Sequence, residues 1–182
     1  MLNGNFNAQS GTPLAITGPC DDLQIWEADD GCRVNLVGKP GFSGSRSKAQ
    51  RIADWINPAA FEPVFGNDQR FWANYSPTDP RAWLFAQSGP LLPNFRAPGF
   101  WNLDASLGKD FHITESKYFQ FRWDVFNALN HQNLGRPNNI FCLPPLPDGT
   151  VDLVHQAGCQ FGRITDVQTD PRAMEFGLKF YW

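Results

Sequence analysis

Four stretches of the chain alternate large apolar with small or polar residues, the period of an extended strand rather than of a helix. One of these alternations ends the sequence. In RAMEFGLKFYW, Met174, Phe176, Leu178, Phe180 and Trp182 fall on one side, and Ala173, Glu175, Gly177, Lys179 and Tyr181 on the other. In FWNLDASLGKDFHI one side carries Trp101, Leu103, Ala105, Leu107, Lys109, Phe111 and Ile113, and the other Asn102, Asp104, Ser106, Gly108, Asp110 and His112. KYFQFRWDVFNAL sets Phe119, Phe121, Trp123 and Val125 against Gln120, Arg122, Asp124 and Phe126. A weaker alternation runs through Leu2, Gly4, Phe6 and Ala8 and breaks at Ser10-Gly11-Thr12-Pro13. The pattern predicts strands near 1–9, 100–113, 117–129 and 172–182. A tight turn at Thr114-Glu115-Ser116 joins the middle two, and long loops at 10–99 and 130–171 make the other connections.

Neither loop sustains a period. The first holds a Gly/Ser-rich stretch, GKPGFSGSRS, and a short predicted helix from Lys48 to Ile56 that stops before Asn57-Pro58. Aromatic, proline-punctuated segments follow, NPAAFEPVFGN and FWANYSPTDPRAW. Loops this long without regular structure are often functional.

Connections short at one end of the strands and long at the other are the habit of membrane barrels with tight inner turns and long outer loops. A soluble sandwich alternates too, but turns its polar side outward. About ten residues is what a tilted strand needs to cross the hydrocarbon core. The predicted fold is therefore all-β: an antiparallel transmembrane β-barrel segment of about four strands, with two long extracellular loops. On this reading Trp101, Leu103, Leu107, Phe119, Phe121, Trp123, Val125 and Met174 face lipid. Lys109 shares that side near the turn, where its stem can snorkel. Asp104, Asp110, Arg122, Asp124, Glu175 and Lys179 face inward, with mixed sign, toward cross-strand partners or a plug. Such a segment must join others into a closed barrel, because hydrocarbon pairs no backbone group.

Composition adjusts this picture. Charged residues make up only 18% of the chain, which carries seven Trp, fifteen Pro and sixteen Gly. A formal net charge of -3 gives no electrostatic case for nucleic acid. No run is long and apolar enough for a membrane-spanning helix. The N-terminal MLNGNFNAQSG shows neither the basic nor the apolar region of a secretory signal. Cys20 with Cys32 and Cys142 with Cys159 suit two loop disulfides in an oxidising compartment. A truncated exported protein reconciles the cysteines with the missing signal.

Candidate chemistry is sparse. Cys142, His155 and Cys159 overlap zinc-ligand spacing, but no C-x2-C accompanies them, so a Cys142–Cys159 bridge is preferred. His112 and His131 lack a nucleophile motif or an H-E-x-x-H arrangement, and no phosphate, dinucleotide or EF-hand loop occurs. No enzyme, metal or cofactor is expected. A second class of function is a secreted, aromatic-rich carbohydrate-binding module, with Trp26, Trp55, Trp72, Tyr75 and Trp83 stacking on sugar rings.

NFRAPGFWNLDASLGKDF, FQFRWDVFNALNHQNLG and FGRITDVQTDPRAMEFGLKFYW resemble the C-terminal end of TonB-dependent outer-membrane receptors, the Oar-like group in particular. SGTP and WINPAAFEPVFGN resemble them too, whereas Asp68 to Gly89 matches poorly and reads as an insertion. The family's plug, TonB box and earlier strands have no counterpart here. The resemblance implies a Gram-negative outer-membrane location and TonB-driven import of a bulky ligand by the whole receptor. The implied partners are outer-membrane lipid, the remaining barrel and plug, the barrel-assembly machinery and, through the missing N-terminal part, the TonB complex. It also implies that the final strand, through Phe176, Leu178, Phe180 and Trp182, is the signal the assembly machinery reads.

Overall fold

The computed structural model describes residues 1–18, 32–62, 88–151 and 155–182. In chain order the elements are β1 (Leu2–Gln9), β2 (Pro13–Leu14), β3 (Thr17–Gly18), β4 (Cys32–Arg33), β5 (Asn35–Leu36), α1 (Lys48–Ala53), a 3-10 turn at Pro58–Ala60, β6 (Phe61–Glu62), β7 (Leu92–Arg96), β8 (Phe100–His112), β9 (Tyr118–Phe126) and β10 (Ala173–Tyr181). The fold is all-β and antiparallel in its strand pairs. Among the described residues no helix is long and apolar enough to cross a membrane. The chain divides into two compact units.

The first unit comprises Met1–Gly11, Pro98–Gly135 and Asp166–Trp182. It is built on one four-stranded sheet in the order β1-β8-β9-β10. The predicted strands are all present, each within a few residues of its expected bounds. Between β8 and β9 the turn closes through Thr114, whose N–H donates to the Lys117 carbonyl while its hydroxyl accepts from the Lys117 N–H.

The second unit, Thr12–Ala97 with Arg136–Thr165, is assembled from the two segments expected as irregular loops. It has its own hydrophobic core, in which Leu14, Ile56 and Phe141 are fully buried and Val34, Phe61 and Phe161 nearly so. Phe161 packs edge-on against both Phe61 and Phe141, with ring centroids 5.7 and 5.2 Å apart, a favoured aromatic geometry. Three two-stranded ribbons, β2-β7, β3-β4 and β5-β6, tie distant segments around this core. The core residues are scattered along the sequence singly or in adjacent pairs, so no period announces them.

Helix α1 starts with a capping box. The Ser47 hydroxyl accepts from the Gln50 N–H, and the Gln50 side chain accepts from the Ser47 N–H. It ends earlier than the expected Ile56 because the Trp55 N–H goes instead to the Gly162 carbonyl, 2.7 Å away. Gly162 has φ +77, and a Cβ there would lie 2.9 Å from the Ile56 carbonyl oxygen, so the position requires glycine. At the Asp148-Gly149 turn, hydrogen bonds from the Thr150 N–H and hydroxyl hold the Asp148 carboxyl below the usual carboxylate range.

Candidate membrane-facing surface

Residues directly opposite in an antiparallel pair project on the same side of the sheet. The registers can therefore be read across all four strands. One row is Leu2, Leu107, Trp123 and Phe176; the row beside it toward the long connections is Gly4, Ala105, Val125 and Met174. Toward the turn, Lys109 lies opposite Phe121, which lies opposite Leu178, and Phe111, Phe119 and Phe180 follow. Apart from Lys109, every residue in these rows is apolar, large or small. The opposite face carries Asn3, Asn5, Asn7, Asn102, Asp104, Ser106, Asp124, Arg122 and Glu175. A one-residue slip in any strand would exchange its two sides, so three coincident registers make this a single two-sided sheet.

The apolar side is open. Phe176 and Leu178 are each 68% exposed and Trp182 is 86% exposed; Phe6, Met174, Phe111, Phe119 and Phe180 are exposed as well. Leu107 is exposed, Trp101, Leu103, Phe121 and Trp123 are half-buried by neighbours within the sheet, and Val125 is buried. Contiguous apolar patches on this scale are rare on soluble monomers and mark interaction or membrane surfaces.

Aromatic side chains gather at both strand ends. Near the turn, Tyr118 stacks on Tyr181 with centroids 4.6 Å apart, His112 approaches Tyr118, and Phe180 touches both Phe119 and Trp182. At the other end Trp101 stacks on His131 at 3.8 Å. Between them Trp123 and Phe176 lie parallel, with centroids 5.9 Å apart. His112, Tyr118 and Tyr181 project from the polar side, while Phe119, Phe180 and Trp182 at one end of the apolar side and Trp101 at the other stand where a membrane barrel carries its interfacial aromatics.

The polar side makes its bonds within the sheet. Arg122 pairs with Asp124 two residues along β9, with Nε 2.7 Å from a carboxylate oxygen, so the ion pair runs along a strand rather than across strands. The Ser106 hydroxyl also donates to Asp124. Glu175 lies opposite Asp124, and both Asp110 and Lys179 lie opposite Gln120. Among the described residues no three carboxylate, His or Cys groups converge on a metal position.

Where β9 ends, an Asn-rich segment keeps β8 satisfied. Buried Asn133 accepts from the Trp101 N–H and donates to the Trp101 carbonyl, replacing a strand neighbour with one side-chain amide. The Ala128 N–H reaches the Leu103 carbonyl. Asn127, at φ 50, donates to the carbonyls of His131 and Asp170 and accepts from the His131 N–H. Asp104 accepts from the Asn127 N–H and the Asn102 side chain. These amides were not singled out from the sequence, although the repeated Asn of NALNHQN is their only signal.

Of the cysteines, Cys142 and Cys159 form a disulfide in the second unit, which occupies both sulfurs and removes them as zinc ligands. Cys32 lies in β4, while Cys20 lies outside the described residues, so the other bridge is not described. Trp26, Trp72, Tyr75 and Trp83 lie outside them too, with most of the Asp68–Gly89 segment. Trp55 does not present a free ring for sugar stacking: it packs against the core and its indole N–H donates to the Arg96 carbonyl at 3.0 Å.

An open antiparallel sheet with one lipid-compatible side, aromatic residues toward both of its ends, and a polar reverse side is a segment of a membrane β-barrel. The family model described as outer membrane beta barrel domain matches residues 1–175, and the chain belongs to that family, which locates it in the outer membrane. Neither curated proteins nor solved structures gave a match.

Proposed function

We propose that the chain is the C-terminal portion of a TonB-dependent, Oar-like receptor barrel and that it has no enzymatic role. The first unit supplies four wall strands, and its polar side belongs to the lumen, beside the plug of the whole receptor. The disulfide-clipped second unit contributes to the ligand-facing exterior. Transport of a bulky ligand belongs to the complete receptor with its TonB complex.

The observation that carries this reading is the coincidence of register: four strands place nearly all their bulky apolar side chains on one uncovered side. A soluble carbohydrate-binding module would have to turn that side into its own core. Strands β1 and β10 are the sheet's two edges. A barrel wall requires both edges to find antiparallel partners, since unpaired backbone in hydrocarbon costs several kcal/mol per group.

Strand β10 also suits the role of assembly signal. All nine of its residues are exposed, with Phe176, Leu178, Phe180 and Trp182 in one column. In the complete receptor, Trp182→Ala or removal of the last three residues should lower the heat-modifiable, assembled fraction in the outer membrane. Assembly at the unmodified level would overturn that role.

A further inference from the structure

The apolar side carries charge of one sign only. By register and alternation its charged residues are Lys109 and, directly before β9 and β10, Lys117 and Arg172, while Asp104, Asp110, Asp124 and Glu175 all project from the reverse side. Arg172 directly precedes β10 and continues the column of Met174, Phe176 and Leu178 toward the long connections. It is exposed and, among the described residues, makes no ion pair; its backbone N–H donates to the Asn130 side chain. Beside it the same side is hollowed into a cleft of about 320 Å³, whose lining includes Leu107, Trp123, Val125, Met174 and Arg172. Its lining runs from the row of Leu107 and Trp123, which lies opposite Phe176, to Arg172. Its depth of about four residues, roughly 13 Å along the strand, accommodates part of one acyl chain.

We propose that this cleft is a binding site for a lipid with a net-negative phosphate headgroup, one acyl chain lying on Trp123, Val125 and Met174 and the phosphate engaged by the Arg172 guanidinium. A planar guanidinium offers phosphate two parallel donors, and an apolar trough ending in a cation matches the two halves of such a lipid. A free phosphate ion would use only the guanidinium and leave the trough empty. This inference rests on the reading that the apolar side meets lipid.

The test uses the complete receptor in phosphatidylcholine vesicles doped, in separate samples, with a photoactivatable acyl-chain probe on phosphatidic acid or on phosphatidylcholine. Adducts are then mapped by mass spectrometry. The phosphatidic acid probe should label the peptide spanning Arg172 to Leu178 about fivefold more than the phosphatidylcholine probe, the preference one basic side chain gives at an anionic lipid surface. Arg172→Gln should bring the ratio to about one while phosphatidylcholine labelling stays unchanged, and Arg122→Gln, on the reverse side, should keep it. Equal labelling by the two probes in the unmodified protein, or the same loss in Arg122→Gln, would overturn the lipid site and leave the membrane-facing reading standing. No labelling of β10 by either probe would overturn that reading, and this site with it.

Discussion

Replacing Phe176 with arginine separates lipid contact from every aqueous alternative, because the expected effect differs in size and direction. Phe176 is the fourth of nine residues in β10. At about 3.4 Å per residue that strand runs roughly 30 Å, or about 23 Å in depth when tilted by about 40°, close to the apolar band of a barrel. Phe176 thus sits within a few ångströms of mid-depth, where arginine on the lipid side costs about 2–4 kcal/mol. Its ring is 68% exposed from the protein, so losing its transfer into hydrocarbon adds roughly 1–2 kcal/mol. The sum is roughly 3–6 kcal/mol. In water the same substitution on an exposed residue would fall within about 0.5 kcal/mol and improve solubility. Glu175→Arg, one residue away on the reverse side and opposite Asp124, is the matched control and should stay within about 1 kcal/mol. Urea unfolding of the complete protein from lipid vesicles, followed by tryptophan fluorescence and by heat-modifiable migration, measures both. Equal effects of the two substitutions, or a Phe176→Arg change below 1 kcal/mol, would refute the assignment of the sides.

Three further outcomes follow from packing. Paired replacement of Cys142 and Cys159 by serine should destabilise the second unit by about 3 kcal/mol in the chain-entropy model for a separation of 17; protease sensitivity of that unit, with the barrel still heat-modifiable, would show it. Asn133→Ala removes both partners of the Trp101 backbone and should cost about 2–4 kcal/mol, read as faster hydrogen exchange at Trp101 than at Leu107. Gly162→Ala forces a side chain into a left-handed conformation against the Ile56 backbone and should cost at least about 1 kcal/mol, checked by thermal unfolding of the exported protein.

The sheet was legible because alternation is a local property that repeats along each long strand. Leu103, Phe121 and Phe176 announce their side within a few neighbours, and the short Thr114 turn fixes the order of β8 and β9. Register was not legible, since nothing in one strand's sequence states which residue of the next it will meet. The core of the second unit was invisible for a different reason. All its strands but the five-residue β7 are two residues long, so Leu14, Val34, Phe61 and Phe141 become neighbours only through contacts between distant segments. Trp55 misled in the same way: a tryptophan in a proline-rich loop reads as exposed, and only the Arg96 carbonyl and the packed core account for its placement. The Cys142–Cys159 bridge, by contrast, needed no more than spacing.

The central claim, that hydrocarbon covers one side of this sheet and water the other, is tested most directly by nitroxide labels placed singly from Ala173 to Tyr181 in the vesicle-reconstituted receptor. The relaxation of each label is measured with oxygen and with a water-soluble nickel chelate. The account predicts strict alternation. Labels at 174, 176, 178 and 180 should be accessible to oxygen and shielded from nickel, and labels at 175, 177 and 179 the reverse. Nickel access at 176 and 178 equal to that at 175 and 179 would contradict it.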